Sequence, residues 1–478
     1  MLFFRKKLSA LLVVMLVALS FSAFPSCKKT TEKRDECVLS LEYLDGKIHG
    51  KAFYTLTNKS NGAYTDVKFN LYANAYEKSA KYSPVEEKKK ADAFKGGYGN
   101  IRIEYAKANG KDAAFTVGGE DENALAVICD EYFPDERVSV ELGFVTTLPT
   151  ADLRLGKTAT TINLADFYPV PCKFTENGRE ECLYSPFGDP YRSDATDFSV
   201  SLTLPSEYTV ASSGCPEKTL ADGEKTTYCY SLKGGRYFSF VLSKDFGVES
   251  RRDGDVTVTA FSAKGNQVAL AETAAAALNY FSKTFGDYPY KSLNVADAPF
   301  SCGGMEYSGL CLISDALTET ERKYAVIHEV AHQWWCCGVG NDQINSAYLD
   351  EGLAEFSTYL YLYDNDRKDE AQAMLDNAKS AYKAYFDIYK TLGGEANTKM
   401  QRDLKEFSSL GEYVAIAYDK SLLMFASYAE TVGMSKTKKR LKKLYADRLY
   451  DEITLNDVTK TLGLKEHFVS YVDGKVLI

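Results

Sequence analysis

Histidine is scarce, with four in 478 residues, and tryptophan scarcer still, with two. Proline at 12 and glycine at 33 are too few and too irregularly placed for a fibrous protein or a linker, and no repeat of solenoid period runs through the chain. Positive charge is also in deficit. The formal net charge is −9, and loss of Arg5, Lys6 and Lys7 with an amino-terminal leader would remove three positive charges and leave −12. Such a balance excludes the basic surface that nucleic-acid binding rests on. After the first twenty or so residues there is no apolar run long enough to cross a bilayer, and no C-x-x-C pair of the kind that holds structural zinc. With 45% hydrophobic and 26% charged residues the chain is an ordinary folded protein, long enough for two or more domains.

The first residues have the parts of an export signal: a basic start, an apolar run from Leu8 to Leu19 and small residues after it. The reading is a signal peptide over residues 1–26, and an extracellular or cell-surface location. Cys27 follows Phe24, Pro25 and Ser26. Ser26 suits a bacterial lipoprotein signal while Phe24 and Pro25 do not, so Cys27 is read either as a lipid anchor, the sole membrane contact expected, or as a thiol left after ordinary cleavage. Eleven cysteines suit an exported chain. The close pairs Cys172 with Cys182, Cys215 with Cys229, and Cys302 with Cys311 are candidates for short disulfides, while adjacent Cys336 and Cys337 are poor candidates for bridging each other.

From about Cys37 to Ser250 apolar residues alternate, as in Ile101, Ile103, Tyr105 and in Val138, Val140, Leu142, Phe144. Polar turns such as Asn61-Gly62 and Asn109-Gly110 separate the runs, which predicts an antiparallel β-sandwich or saddle-shaped sheet over residues 37–250. The stretch from Glu77 to Gly99 reads as an exposed loop. Past Arg251, after one more strand at Val256 to Phe261, three-to-four spacing takes over. Helices are predicted at Asn266 to Phe285, Thr320 to Trp335, Glu351 to Tyr363, Asp369 to Leu392, Gly411 to Val432 and Lys436 to Leu449. The fold class is therefore α+β and multidomain, with a mostly helical domain over 251–478. The lysine-rich last helix reads as a solvated face.

Two of the four histidines stand in His328-Glu329-Val330-Ala331-His332, behind a capping-box start at Thr318 to Glu321. Residues four apart lie on one helix face, so both imidazoles can reach one metal ion, while Glu329 is left to lean toward a water. In a chain of this composition the pattern arises by chance about 0.005 times, which makes two unrelated core histidines a weak reading. Glu351 follows after eighteen intervening residues, at the head of the next helix. A helix hairpin would bring it over the first helix as a third ligand, leaving one coordination position open.

Here the chain resembles the gluzincin zinc aminopeptidases typified by aminopeptidase N, whose signature of H-E-x-x-H, eighteen residues and E it carries in full. Cys302-Gly303-Gly304-Met305-Glu306-Tyr307 is similar to the family's G-x-M-E-N segment, and Tyr418-Asp419-Lys420-Ser421 to its Y-x-K-G. Weaker likenesses at Ser185 to Pro190 and Phe285 to Tyr290 extend the resemblance over roughly Pro169 to Val432. It implies a thermolysin-like catalytic domain holding one zinc ion through His328, His332 and Glu351, with Glu329 as general base for a zinc-activated water and Tyr418 as donor to the oxyanion. It also implies that Glu306 binds the free amino terminus of a peptide substrate, with Gly303, Gly304 and Met305 lining the same subsite. Tyr307 stands for the family's Asn, Ser421 for its Gly, and Asp350 places an extra acid before the ligand. Glu355 is a candidate partner for a ligand histidine. Only about sixty residues follow Tyr418, which predicts a short two-domain form without the large helical domain of many relatives, and a more open cleft. The alternatives are a zinc endopeptidase of the same chemistry, or a peptide-binding surface protein with an impaired site.

Overall fold

The computed structural model describes residues 33–175 and 178–476. The leader, with Arg5, Lys6, Lys7 and Cys27, lies outside the described residues. Asp35 onward forms one compact unit. Its first part is β-rich. Strands Pro216–Asp222, Lys225–Gly235, Thr196–Pro205, Asp35–Leu44, Lys47–Thr57, Arg137–Thr147, Asn100–Ala108 and Lys111–Asp112 line up in that order in one sheet. The alternation read from the sequence is what buries one face: Cys37, Leu39 and Leu41 point into the core with Ala52, Tyr54 and Leu56 and with Val138, Val140, Leu142 and Phe144. Asn109 and Gly110, both at positive φ, make the two-residue turn between Asn100–Ala108 and Lys111–Asp112. Two four-stranded sheets and the two-stranded pair Lys173–Thr175 with Gly178–Glu180 complete this part.

Two expectations are corrected here. Asp35–Leu44 pairs with Thr196–Pro205 in parallel, so the sheet is mixed. A parallel neighbour needs a long crossover, and the intervening strands and loops supply it. The stretch from Glu77 to Gly99 is not a plain exposed loop. It contains helix α1 (Glu87–Ala93), and Lys90 and Phe94, four apart, are turned inward, with the Lys90 ammonium on the Ala80 carbonyl. Lys88 and Lys89 stay outside, both paired with Glu86.

The second part begins with a five-stranded sheet in the order Gly247–Asp253, Val256–Ser262, Ser292–Ala298, Leu310–Ser314, Gly304–Tyr307. Helix α2 (Gln267–Phe285) is the crossover between its first parallel pair, burying Leu270, Ala271, Ala274, Ala277, Leu278, Phe281 and Phe285. Around it stand α3 (Glu319–Ala331), α4 (Asp350–Asp364), α5 (Lys368–Thr391), α6 (Leu410–Tyr413), α7 (Lys420–Val432), α8 (Met434–Arg448), α9 (Leu455–Leu462) and α10 (Lys465–Val472). The single helix expected from Gly411 to Val432 is interrupted: Val414–Asp419 winds as π-helix between α6 and α7. Neither α9 nor α10 was expected. None of the described helices is long and apolar enough to cross a membrane.

No disulfide joins the ten cysteines among the described residues. For Cys302 and Cys311 the register explains this, since Cys311 lies opposite Glu306 in the sheet, four residues away from Cys302.

The two parts are tied through Arg236. Its Nε donates to Cys336 O (2.7 Å) and one terminal nitrogen to Ser193 O (2.7 Å), both in the interior, and the other to Asp451 O (2.9 Å) nearer the surface. Arg236→Met should orphan the Ser193 and Cys336 carbonyls at about 1–3 kcal/mol each, while Asp451 O keeps the Gly340 N–H. The expected result in urea denaturation is a loss of several kcal/mol with an unchanged m-value.

Candidate active site

Helix α3 starts at a capping box, in which the Thr318 hydroxyl accepts from Glu321 N and the Glu321 carboxylate accepts from Thr318 N. Three turns later it delivers His328 and His332 to one face. Their Nε2 atoms lie 2.9 Å apart, and each is 3.3 Å from Oε2 of Glu351 in the first turn of α4. The outer ring nitrogens face acceptors: His328 Nδ1 lies 3.0 Å from Glu355 Oε1, and His332 Nδ1 2.9 Å from the Trp335 carbonyl. A carboxylate and a carbonyl can only accept, so in a neutral ring the proton belongs on Nδ1 and the Nε2 lone pairs are left to face each other across 2.9 Å. Between neutral rings that contact is repulsive, and it is relieved by a metal ion among the three atoms or by a further proton. A triangle with sides of 2.9, 3.3 and 3.3 Å has a circumscribed radius of about 1.8 Å, just inside the ~2.0–2.2 Å of zinc bonds to imidazole and carboxylate. One ion would be held by His328, His332 and Glu351 together. The residues fit a zinc ion.

Glu355, one turn beyond Glu351 on α4, also accepts a hydrogen bond from the Tyr324 hydroxyl. Tyr324 and Glu355 thus brace His328 from behind, which the sequence suggested for Glu355 and did not for Tyr324.

Glu329 is buried and its Oε2 has no hydrogen-bond partner. Burial pushes its carboxyl up to about 8. Gly304 faces it so closely that a Cβ there would stand 2.2 Å from Glu329 Oε1 and displace that carboxylate. Gly303 meets nothing within 4 Å, and no close approach demands glycine there. Gly304, Met305, Glu306 and Tyr307 form the edge strand of the five-stranded sheet. Gln333, the residue after His332, pins that hairpin to α3: its Oε1 accepts from Gly309 N (2.9 Å) and its Nε2 donates to Tyr307 O (3.1 Å). The Glu306 carboxylate accepts from Gln343 Nε2 at 3.1 Å and comes within 4.8 Å of ligating atoms of Glu329 and His332. From the β-rich part, Arg154 reaches the same strand. Its Nε lies 3.3 Å from Met305 Sδ, and the guanidinium pairs with buried Asp189, whose carboxyl burial raises to about 7 despite that partner.

Tyr418 comes from the π-helical turn. Its hydroxyl donates to Glu351 Oε1 at 2.5 Å, and its ring stacks 5.9 Å from His328. Burial, and then the Glu351 charge, hold the phenol well above its ordinary pKa, so it stays a neutral donor. Ser421 donates to the Ala417 carbonyl and, at 2.9 Å, to the Tyr418 carbonyl, a bond offered to backbone groups that the π turn releases. Lys420 is fully buried and donates to Thr398 O (2.6 Å) and Tyr471 O (2.7 Å), anchoring the turn to the carboxy-terminal helices. Gly352 faces Ser421 across α4 and α7, where a Cβ would stand 2.6 Å from the serine's own.

His328, Glu329, His332, Glu351, Glu306 and Tyr418 therefore come together at one place, spread over two helices, an edge strand and an irregular turn. This is the architecture of a gluzincin-type metallopeptidase. Residues 269–472 match the Peptidase family M1 domain. Among curated relatives, Aminopeptidase 2 of Candida albicans is 29% identical over 181 residues, covering 34% of this chain and 20% of its own length. Aminopeptidase N of Oryctolagus cuniculus is 28% identical over 188 residues, covering 34% and 19%. The chain thus spans about a fifth of the length of the curated relatives it matches. Among solved structures, the M1 zinc metallopeptidase of Deinococcus radiodurans superposes with a TM-score of 0.67 at 16% identity, over 94% of this chain and 96% of that one. A Glu-to-Ala variant of that protein, bound to a Tyr-Ser-Ala substrate, gives 0.65 at 18%, over 93% and 96%. The likeness to these structures is one of fold.

Because Glu355 orients a ligand imidazole, Glu355→Gln should weaken zinc binding about 10–100-fold. Tyr324→Phe, which loosens Glu355 and leaves its charge, should weaken it less. Competition with a chromogenic zinc chelator measures both.

Proposed function

We propose that the chain is an exported zinc aminopeptidase, removing residues one at a time from peptides with a free amino terminus. The observation that carries this reading is Glu306. It is a buried carboxylate on an edge strand, close to both Glu329 and His332. A charge in that position can accept the ammonium of a terminal residue, and an internal peptide bond has nothing to offer it. The edge strand itself presents backbone groups along which an extended peptide can lie. Export rests on the leader, with Cys27 as a possible lipid attachment.

His328, His332 and Glu351 would hold the zinc ion, which when bound polarises the scissile carbonyl and acidifies a water. Glu329 takes the proton of the attacking water at its unpartnered Oε2 and hands it to the leaving amine, so that the departing group leaves neutral. Tyr418 gives up its hydrogen bond to Glu351 and donates to the oxygen on which charge develops, its raised pKa ensuring that the proton is there to share. Gly304 keeps the strand close to the base, and Glu306 sets the distance from ammonium to carbonyl, so that one residue is cut off.

Glu329→Ala should lower kcat by about 10²–10⁴ with zinc retained, and Tyr418→Phe by about 10²–10³ with KM little changed. An amino-acetylated peptide should be inert while its free counterpart is cleaved; equal cleavage of both would replace this reading with an endopeptidase. The base must be ionised to act, so kcat/KM should fall as pH drops through the Glu329 pKa, with the acid limb above the ~4.3 of an ordinary glutamate. A limb at or below that value in a pH–rate profile would count against Glu329.

A further inference from the structure

Glu306 also belongs to a second group of ligating atoms, whose other members the proposed hydrolysis does not use. Glu306, Cys336 and Asp350 each bring one such atom within 4.8 Å of the others, and their exposures are 5%, 6% and 2%. Cys337 adjoins them: its thiol donates to the Glu306 carbonyl at 3.4 Å and is hydrogen-bonded to the Cys336 thiol. Among the described residues no lysine or arginine pairs with Glu306 or Asp350. The two carboxylates share one neutral donor, Gln343 Nε2, at 3.1 and 2.9 Å. Asn341 grips the other Asp350 oxygen at 2.8 Å, and the oxygen of that same buried amide has no hydrogen-bond partner. Two carboxyl groups and two thiols thus meet in the interior beside an amide whose oxygen has no partner, and no side-chain cation stands among them. Cys336 holds φ at 128°, a conformation that glycine adopts freely and a side chain rarely does, so the thiol is kept there against a backbone cost.

We propose that Glu306, Cys336 and Asp350, with the Cys337 thiol beside them, form a second cation site for thiophilic divalent ions such as zinc or cadmium, and that filling it shuts off peptide hydrolysis by taking Glu306 from the substrate. Thiolate donors select such ions over magnesium and calcium. Each coordinating thiol releases its proton to solvent, and nothing is oxidised. A half-turn of the Gln343 amide would exchange its NH2 for its oxygen and make it a further ligand. One ion per chain then gives the working enzyme and a second silences it, in competition with the free amino terminus. The inhibitory half rests on Glu306 as ammonium anchor; the binding half does not.

The test uses the full chain carrying one zinc per molecule, titrated with cadmium. Expected are a second bound ion by elemental analysis with the first zinc retained, a cadmium–thiolate absorption band that grows with it, and an apparent KM for a free-amino peptide raised at least tenfold while kcat holds. Cys336→Gly suits the positive φ, so it should keep one-zinc activity and lose the band, the second ion and the inhibition. Cys337→Ser should weaken all three, and stands in if the glycine variant fails to fold. A full band with two bound ions in Cys336→Gly, or no second ion in the parent chain, overturns the proposal. A band and second ion without any change in hydrolysis would sustain the site and remove Glu306 from ammonium binding. Normal hydrolysis without a band would do the reverse.

Discussion

Two imidazole nitrogens pointing their lone pairs at each other across 2.9 Å is the interaction from which the rest of the site follows. The arrangement is imposed from outside the pair. Glu355 lies 3.0 Å from one outer ring nitrogen and the Trp335 carbonyl 2.9 Å from the other, so a change of tautomer would set acceptor against acceptor there. A carboxylate directed at the same point makes a cation the natural occupant, and its placement on α4 demands that α3 and α4 pack at a fixed depth and angle. The capping box at Thr318, the Trp335 indole donating to Ser357 at 3.0 Å, and Tyr324 reaching Glu355 all serve that register.

Around that point, acids of one chemical kind acquire different properties from their neighbours. Glu351, beside both histidines, is lowered to about 2 although burial opposes it, whereas Glu329 on the same helix as those histidines is raised to about 8. Asp350, adjacent to Glu351 but turned toward Asn341 and Gln343, is pushed well above the usual carboxylate range by burial and by the Glu351 charge. Ligand and base are told apart by where each side chain points. A pair of carboxyl groups driven in opposite directions by their surroundings is the general signature of divided labour in a catalytic site.

Much of this was legible in the sequence because it is local. Helical spacing alone put His328 and His332 on one face, alternation placed the buried sides of Asp35–Leu44 and Arg137–Thr147, and the T-x-x-E start of α3 was visible before any coordinates. The same capping logic could have found α9, where Thr454 and Asp457 form a capping box, but the helix is eight residues long and its apolar period too short to stand out. What sequence could not carry was long-range pairing. The parallel match of Asp35–Leu44 with Thr196–Pro205 depends on partners some 160 residues apart, and the inward turn of Lys90 on a carbonyl across the loop. The π turn at Val414–Asp419 was hidden too, since its stretch reads as uninterrupted helix and its stabiliser, Ser421, differs from an ordinary helical serine only in which carbonyls it meets.

The π turn also explains why Tyr418 depends on residues that never approach the substrate. Extra residues in a turn shift the side chains beyond it around the helix axis, which aims the phenol at Glu351 and leaves backbone carbonyls without their usual donors. Ser421 answers two of them, while the buried Lys420 ammonium fixes the following turn to Thr398 and Tyr471, and Gly352 leaves room for Ser421 against α4. On the opposite wall, Gln333 and Arg154 hold the edge strand with Glu306. Hydrolysis needs the base, the phenol and the carboxylate anchor placed to within a fraction of an ångström about one ion. Each is carried on a different element, so the precision of the site comes from the buried polar contacts that join those elements, and the apolar core alone would not supply it.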